Sequence, residues 1–577
     1  MSVFTLDSLG ERNPQLFREL KGRLIPRNIL ISVVISLLGQ LLLLIGFANK
    51  LPVKLSAYQN YASRYCIGSY RTYGDPLCLP DGFGGYVINW QVWWKDVFVW
   101  LSIIGILGLL VVGTYMLISD LSKEEHRGTL NFLRLTPQSS TSILTGKLLG
   151  VPILLYLGVC LALPLHLAAG LSGQIPLGQI LGFYSVLGAS CLCFYSMALL
   201  FGLVSNWLGG FQAWLGSGVV LVFLSIMTDM FSRYSIPVDH YATDWLRLFN
   251  PTVLLSYLTG SDSPNANYPP EVPGLGDLPW LGLPISASLW SLAGFMVLNY
   301  GLWTYWAWQG LQRCFHNPTT TLLSKQQSYW LTASFEAMIL GFALNPPMRC
   351  LFTGVSKCTE EPDLFNSLNY VLVLNLLLFL GLIVTLSPQR QALQDWARYR
   401  HQKRSSRKGG VIADLIWGEK SPALVAIALN VAIASAILLP WILLWHHSEY
   451  KILGLWGLAL NMSLILVYAA VAQLMLFIKN PKRGLWAAAT VGVMIAFPVV
   501  IFGLLSIEPA KNPEVWLISA FPWAAVEHTT GMAVFLTIIA QSLTLGLLSV
   551  QLTRQLHTAG ESSTKALLSG RPRVAID

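Results

Sequence analysis

Ionisable residues are scarce in this chain, and one run gathers most of its chemical options: Asp120-Leu-Ser-Lys-Glu124-Glu125-His126-Arg127-Gly128-Thr129-Leu130-Asn131-Phe132-Leu133-Arg134-Leu135-Thr136-Pro137. Leu130, Leu133 and Leu135, with Phe132, make an apolar set on a short helix. Glu124 and Glu125 fall near its N-terminal end, where the helix dipole favours carboxylates. Thr136-Pro137 stops that helix, and Ser139 to Ser142 offer caps for the next. A compact, charged and punctuated segment of this kind suits mechanical work: it is a place for another protein to push. The chain does not fuel such work itself. It has no Gly-x-x-x-x-Gly-Lys-[Ser/Thr] loop to cradle ATP phosphates, and the nearest fragment, Gly146-Lys147, runs into Leu148 without the earlier glycine.

Other chemistries find thinner support. An ion-coupled secondary transporter places ionisable groups at mid-membrane, and the candidates here are His166, Asp229, Glu336 and the Glu527-His528 pair, which form no cluster in the sequence. A membrane-embedded transferase or hydrolase needs paired carboxylates, or a nucleophile with a base. Asp75, Asp81, Asp239, His240, Asp244 and the His446-His447 pair are isolated and show no recognised spacing. No cysteine spacing resembles a zinc site, so no metal is expected.

The elements that position these residues follow from composition. The 577 residues are 54% hydrophobic and only 11% charged, against about a quarter charged in soluble chains. A soluble enzyme, a secreted disulfide scaffold and a disordered protein are all excluded, and an all-α, polytopic helical membrane protein is expected. The net charge of +9 is scattered between apolar runs, which argues for orientation in a bilayer rather than nucleic-acid binding. About 20 apolar residues are needed per crossing. Candidate spans cover 29–47, 97–119, 148–170, 178–203, 211–231, 284–306, 330–344, 368–386, 423–445, 453–478, 485–505 and 532–552. The short segment 330–344, which holds Glu336, is the weakest. With all twelve crossing and the N-terminus inside, most of the 37 lysines and arginines are cytoplasmic; without it, most are not. The positive-inside rule therefore selects twelve spans with both termini cytoplasmic.

This topology puts Cys66, Cys78, Cys350 and Cys358 on the outer side in two close pairs, and two local disulfides are expected there. Before the first span, Asn13-Pro14 is a helix start. Leu16, Phe17, Leu20 and Leu24 then recur at helical spacing, with Arg12, Arg18, Lys21 and Arg23 on other faces, as in a helix lying in the inner interface. The resulting organisation is an amphipathic helix (1–27), a six-span core (28–311), a cytoplasmic linker (312–329), a second six-span half (330–553) and a cytoplasmic tail (554–577). The core carries the inner loop 120–147 and the outer loops 49–95 and 232–283. The second half carries a basic inner loop (388–422). Ser421-Pro422 before the ninth span echoes Asn13-Pro14, a hint of distant repetition.

The run Glu125-His-Arg127-Gly128-Thr129-Leu130, followed by Leu133 and Thr136-Pro137, resembles the inner coupling segment of the type-2 (ABC-2) permeases of ATP-binding-cassette transporters. The Asn13-Pro14…Arg18-Glu19-Leu20 run is similar to the elbow helix of bacterial members, and the resemblance covers about the first 310 residues. The six further spans depart from the usual family core and lack a second copy of the coupling run. The resemblance implies a membrane subunit, not an enzyme, of an exporter in the bacterial inner membrane. Its partners would be the lipid bilayer, a cytosolic ATP-binding subunit that holds ATP and Mg, and a second permease copy. It implies coupling roles for Glu124, Glu125, Arg127, Gly128, Thr129 and Arg134, and elbow roles for Arg18, Glu19 and Arg23. Arg127 or Glu125 would pair with the ATPase or with the elbow residues. Spans lined by Leu, Val, Gly and Trp suit an amphipathic or lipid-like cargo.

Overall fold

The computed structural model describes residues 10–52, 62–68, 76–82, 85–233, 241–259, 278–344, 362–403, 411–445, 448–480 and 482–560. Cys350, Cys358, Asp75, Asp239, His240, His446 and His447 lie outside them, as does the side chain of Asp229. The described chain is helical almost throughout, and ten of its helices are long and apolar enough to cross a membrane. This is an all-α, multi-pass membrane protein. Two helices that the sequence reading counts as spans, Leu289–His316 and Lys325–Ala343, are not among the ten. They are 28 and 19 residues long, but Trp, Tyr and Asn dilute the first, and Lys325, Gln326, Gln327 and Glu336 the second.

The chain divides into two compact units. The first comprises Met1–Asp239, Leu246–Leu278 and Pro284–His316. It opens with α1 (Pro14–Arg23), whose cap Asn13 accepts from the Leu16 amide and whose first residue is Pro14. Pro26 forces Ile25 into extended backbone, so the chain breaks before α2 (Pro26–Ala48) begins. Two hydroxyls four residues apart bind α2 to α7 (Ile153–Ser172): Ser32 donates to the Leu154 carbonyl and Ser36 to that of Gly158, both at 2.7 Å. Much of the remaining α2 surface is apolar and exposed, including Leu30, Ile35 and Leu42, as a lipid-facing helix requires.

α3 (Trp90–Leu107) and α4 (Gly113–His126) form one continuous rod through a π-helical turn at Gly108–Val112. Such a turn disturbs the regular carbonyl ladder. Tyr195, on α8 (Leu177–Val204), donates its hydroxyl to the Leu109 carbonyl there at 2.8 Å. α5 (Thr129–Leu135), α6 (Ser140–Gly150), α9 (Gln212–Arg233) and α10 (Leu289–His316) complete the unit. In the segment between α2 and α3 Cys66 and Cys78 are joined by a disulfide, one of the two pairs expected.

The second unit comprises His240–Trp245, Pro279–Leu283 and Asn317–Asp577. α11 (Lys325–Ala343) starts with a capping box between Ser324 and Gln327. α12 (Pro362–Leu386), α13 (Arg390–Lys403), α14 (Val411–Trp417), α15 (Leu424–Leu443), α16 (Ser448–Leu476), α17 (Arg483–Leu504) and α18 (Gly531–Gly560) follow. α16 is extensively buried, and its Asn461 amide donates to the Leu372 carbonyl. Buried Lys325 donates to the Leu415 carbonyl and the Ser421 hydroxyl, fixing the segment that leads into α15.

The disulfide closes a loop of sequence separation 12, a size for which the cross-link contributes about 2–4 kcal/mol. Cys66→Ser is expected to lower the thermal unfolding midpoint in detergent, and a reductant to do the same to the wild type but nothing to the variant.

Candidate functional site

Residues of the 120–147 segment meet the N-terminal helix because of two glycines. Gly146 and Gly150 lie one turn apart on α6, and α1 rests directly on them. A Cβ at Gly146 would stand 2.8 Å from both the Asn13 Oδ1 and the Leu16 amide nitrogen, and one at Gly150 only 2.5 Å from the Glu19 Cβ. Small residues at this spacing let two helix backbones approach closely. Asn13 braces the contact further: while its oxygen caps α1, its amide donates to the Ser142 carbonyl at 2.9 Å. The face of α1 that is buried is polar, carrying Gln15 and Glu19. Leu16, Phe17 and Leu20 stay partly exposed, consistent with a stripe left for lipid.

That polar face enters a closed charge network. Lys147, fully buried on α6, lies 2.7 Å from Asp120 Oδ2, 2.7 Å from Glu124 Oε2 and 3.9 Å from Glu19 Oε1. The contact with Asp120 is a hydrogen bond; that with Glu124 is an ion pair without hydrogen-bond alignment. Around this centre Arg18 pairs with Glu124, Arg23 pairs with Asp120, and Arg23 Nε bonds Glu19 Oε2 at 3.0 Å. Three cations therefore balance three carboxylates. Burial works against the charge on the Arg18 guanidinium, but Glu124 and Glu19 outweigh it and move its pKa upward. Glu19, Asp120 and Glu124 are close enough to ligate a metal ion, yet the Lys147 ammonium fills the place such a cation would take. A buried charge is tolerated only with this kind of pairing.

Beyond the network the chain turns sharply and presents α5. Gly128 adopts φ 72°, the left-handed region open to glycine, and reverses the chain between α4 and α5. Thr129 ties back to the Glu124 carbonyl through its hydroxyl. Leu130 and Leu133 bury into a core with Leu117, Leu121, Ile143, Leu148 and Phe315. Arg134 donates Nε to the Phe315 carbonyl at 2.7 Å, satisfying a carbonyl at the end of α10, and stands 3.8 Å from Glu125. Phe132 and Leu135 point the other way, 70% and 85% exposed, and Arg127 is exposed near them in sequence.

The expected residues therefore separate into two groups. Arg18, Glu19, Arg23 and Glu124 come together; it is Glu124, not Glu125 or Arg127, that pairs with the N-terminal helix. Gly128, Thr129 and Arg134 shape and anchor α5. Asp120 and Lys147, which close the network, were not singled out from the sequence. The spacing held a signal, since Asp120 and Glu124 are four apart on one helix, as are Glu19 and Arg23.

Lys147→Met is expected to destabilise the first unit by about 3–5 kcal/mol, because it strands buried carboxylates without a cation. Asp120→Asn in the same chain should recover part of that loss, read as the thermal unfolding midpoint in detergent. Comparison with protein-family models, with curated proteins and with solved structures finds none that matches this chain.

Proposed function

We propose that this chain is the membrane permease subunit of an ATP-driven ABC-2-type exporter. In this reading it has twelve spans and cytoplasmic termini, and it moves an amphipathic or lipid-like substrate across a bacterial inner membrane. ATP and Mg belong to a separate cytosolic subunit, and a second permease copy completes the assembly. The observation that carries the reading is the divided character of α5: Leu130 and Leu133 anchor it in the core while Phe132 and Leu135 stand exposed beside a charged turn. Exposed aromatic and aliphatic side chains on a rigid base are the anchors protein partners use. A push on α5 passes through Leu130, Leu133 and Arg134 to α4, α6 and α10. From there the Lys147 network carries it to α1, and the Ser32 and Ser36 bonds couple α2 to α7. The Cys66–Cys78 disulfide agrees with an outer location for the loop that holds it.

One observation favours a second reading, an ion-coupled transporter. Glu336 is fully buried on α11, where the Asn375 amide donates to its Oε2 at 3.3 Å. An ionisable group inside a membrane is a functional candidate.

The two readings separate in one experiment. Purified chain is reconstituted with and without the ATPase that co-purifies from its native membrane. Phe132→Asp/Leu135→Asp is expected to weaken that association at least about ten-fold, the loss of an interface anchor, with an unchanged unfolding midpoint. Transport should then require ATP. Undiminished association, or gradient-driven transport by the chain alone that Glu336→Gln abolishes, would overturn the ABC reading.

A further inference from the structure

A cavity of about 670 Å³, open along one side, is formed within the first unit by α2, α3, the π-helical turn, α4, α7 and α8. That volume is in the range of small-molecule sites, roughly 300–1,000 Å³. Its lining contains no Lys, Arg, Asp or Glu, and glycines at 105, 108 and 158 widen it. The hydroxyls and the imidazole in its wall have their protons committed, while the Asn28 and Gln40 amides on α2 each use one N–H, toward the Arg23 carbonyl and Ser36, and keep the other. Ser102 donates to the Phe98 carbonyl at 2.8 Å and so accepts from His166 Nε2, also at 2.8 Å. These partners assign His166 as the neutral Nε2–H tautomer, whose Nδ1 accepts the Tyr184 hydroxyl proton at 2.7 Å. On the opposite wall Ser32 and Ser36 donate to carbonyls of α7, and the Gln40 amide donates to Ser36.

The consequence is that the Ser102–His166–Tyr184 end of the cavity can accept a proton but offers none, and the amide donors lie on α2 instead. A carboxylate or phosphate would meet no counter-charge anywhere in the wall and only acceptor oxygens beside Tyr184. An ammonium would lose its hydration without gaining a carboxylate. Hydrocarbon fits the apolar wall, and the oxygen of half-buried Tyr184, one of the lining residues, retains acceptor capacity after donating to His166. We infer that this cavity is a binding site for a neutral lipid with a free hydroxyl, its hydrocarbon chain between α2 and α3 and its hydroxyl donating to the Tyr184 oxygen. The test of this site reads binding rather than transport, so its outcome is independent of the exporter reading.

The test uses the full chain in phosphatidylcholine nanodiscs and three photoreactive diazirine probes of equal chain length: a primary alcohol, its methyl ether and the corresponding carboxylate. In the wild type the alcohol should label cavity residues and bind about five-fold more tightly than the ether, the worth of one net hydrogen bond. The carboxylate should bind more weakly than the alcohol. Tyr184→Phe should erase the preference for alcohol over ether while hydrocarbon binding persists. Gly105→Leu places its side chain where a Cβ now meets nothing within 4 Å, and should exclude the alcohol and the ether alike. Equal binding of alcohol and ether by the wild type, preference for the carboxylate, an alcohol preference that survives Tyr184→Phe, or labelling unchanged by Gly105→Leu would each overturn the assignment.

Discussion

The junction of α1, α4 and α6 depends on one buried ammonium. Lys147 cannot be left alone in a dry core, because the desolvation of an unpaired charge costs far more than a protein's margin of stability allows. It is held by Asp120 and Glu124 from α4 and approached by Glu19 from α1, while Arg18 and Arg23 balance the excess negative charge. Removing any one charge leaves its partners uncompensated. The network therefore behaves as a single unit that joins the N-terminal helix, the end of the second long helix and the start of the third.

Geometry makes that network possible. Gly146 and Gly150 remove the side chains that would keep α1 away from α6, and Asn13 spends both ends of its amide on the junction. The break at Ile25-Pro26 then releases α2, which leans on α7 through Ser32 and Ser36. A displacement at α5 has stiff connections in two directions, through the leucine core and through paired charges. Coupling over distance needs a contiguous body with differential contacts in two states, and this arrangement supplies the body.

Much of this was legible in the sequence, and the limits are instructive. The cap at Asn13-Pro14, the stop at Thr136-Pro137 and the cap at Ser139 are local signals, and the helices begin and end there. The Cys66–Cys78 pairing followed from proximity in one loop. The role of Lys147 is not legible in the sequence because its burial is made by α1, more than a hundred residues earlier, and composition carries no record of such packing. Choosing between Glu124 and Glu125 needed the helical phase: Asp120 and Glu124 share a face, and Glu125 does not. The division of the α5 leucines into anchors and exposed tips likewise depends on which face meets the core. Helices rich in Trp, Tyr and polar residues, such as α10 and α11, are where apolarity stops being a ruler for spans.

Hydrogen–deuterium exchange of the α1 amides, residues 16–23, tests the central claim most directly. If the Lys147 network holds α1 to the body of the first unit, these amides exchange slowly in the wild type. They become fast in Lys147→Met while the amides of α7 and α8 stay protected. Fast exchange of α1 in the wild type, or slow exchange that Lys147→Met leaves unchanged, would contradict it.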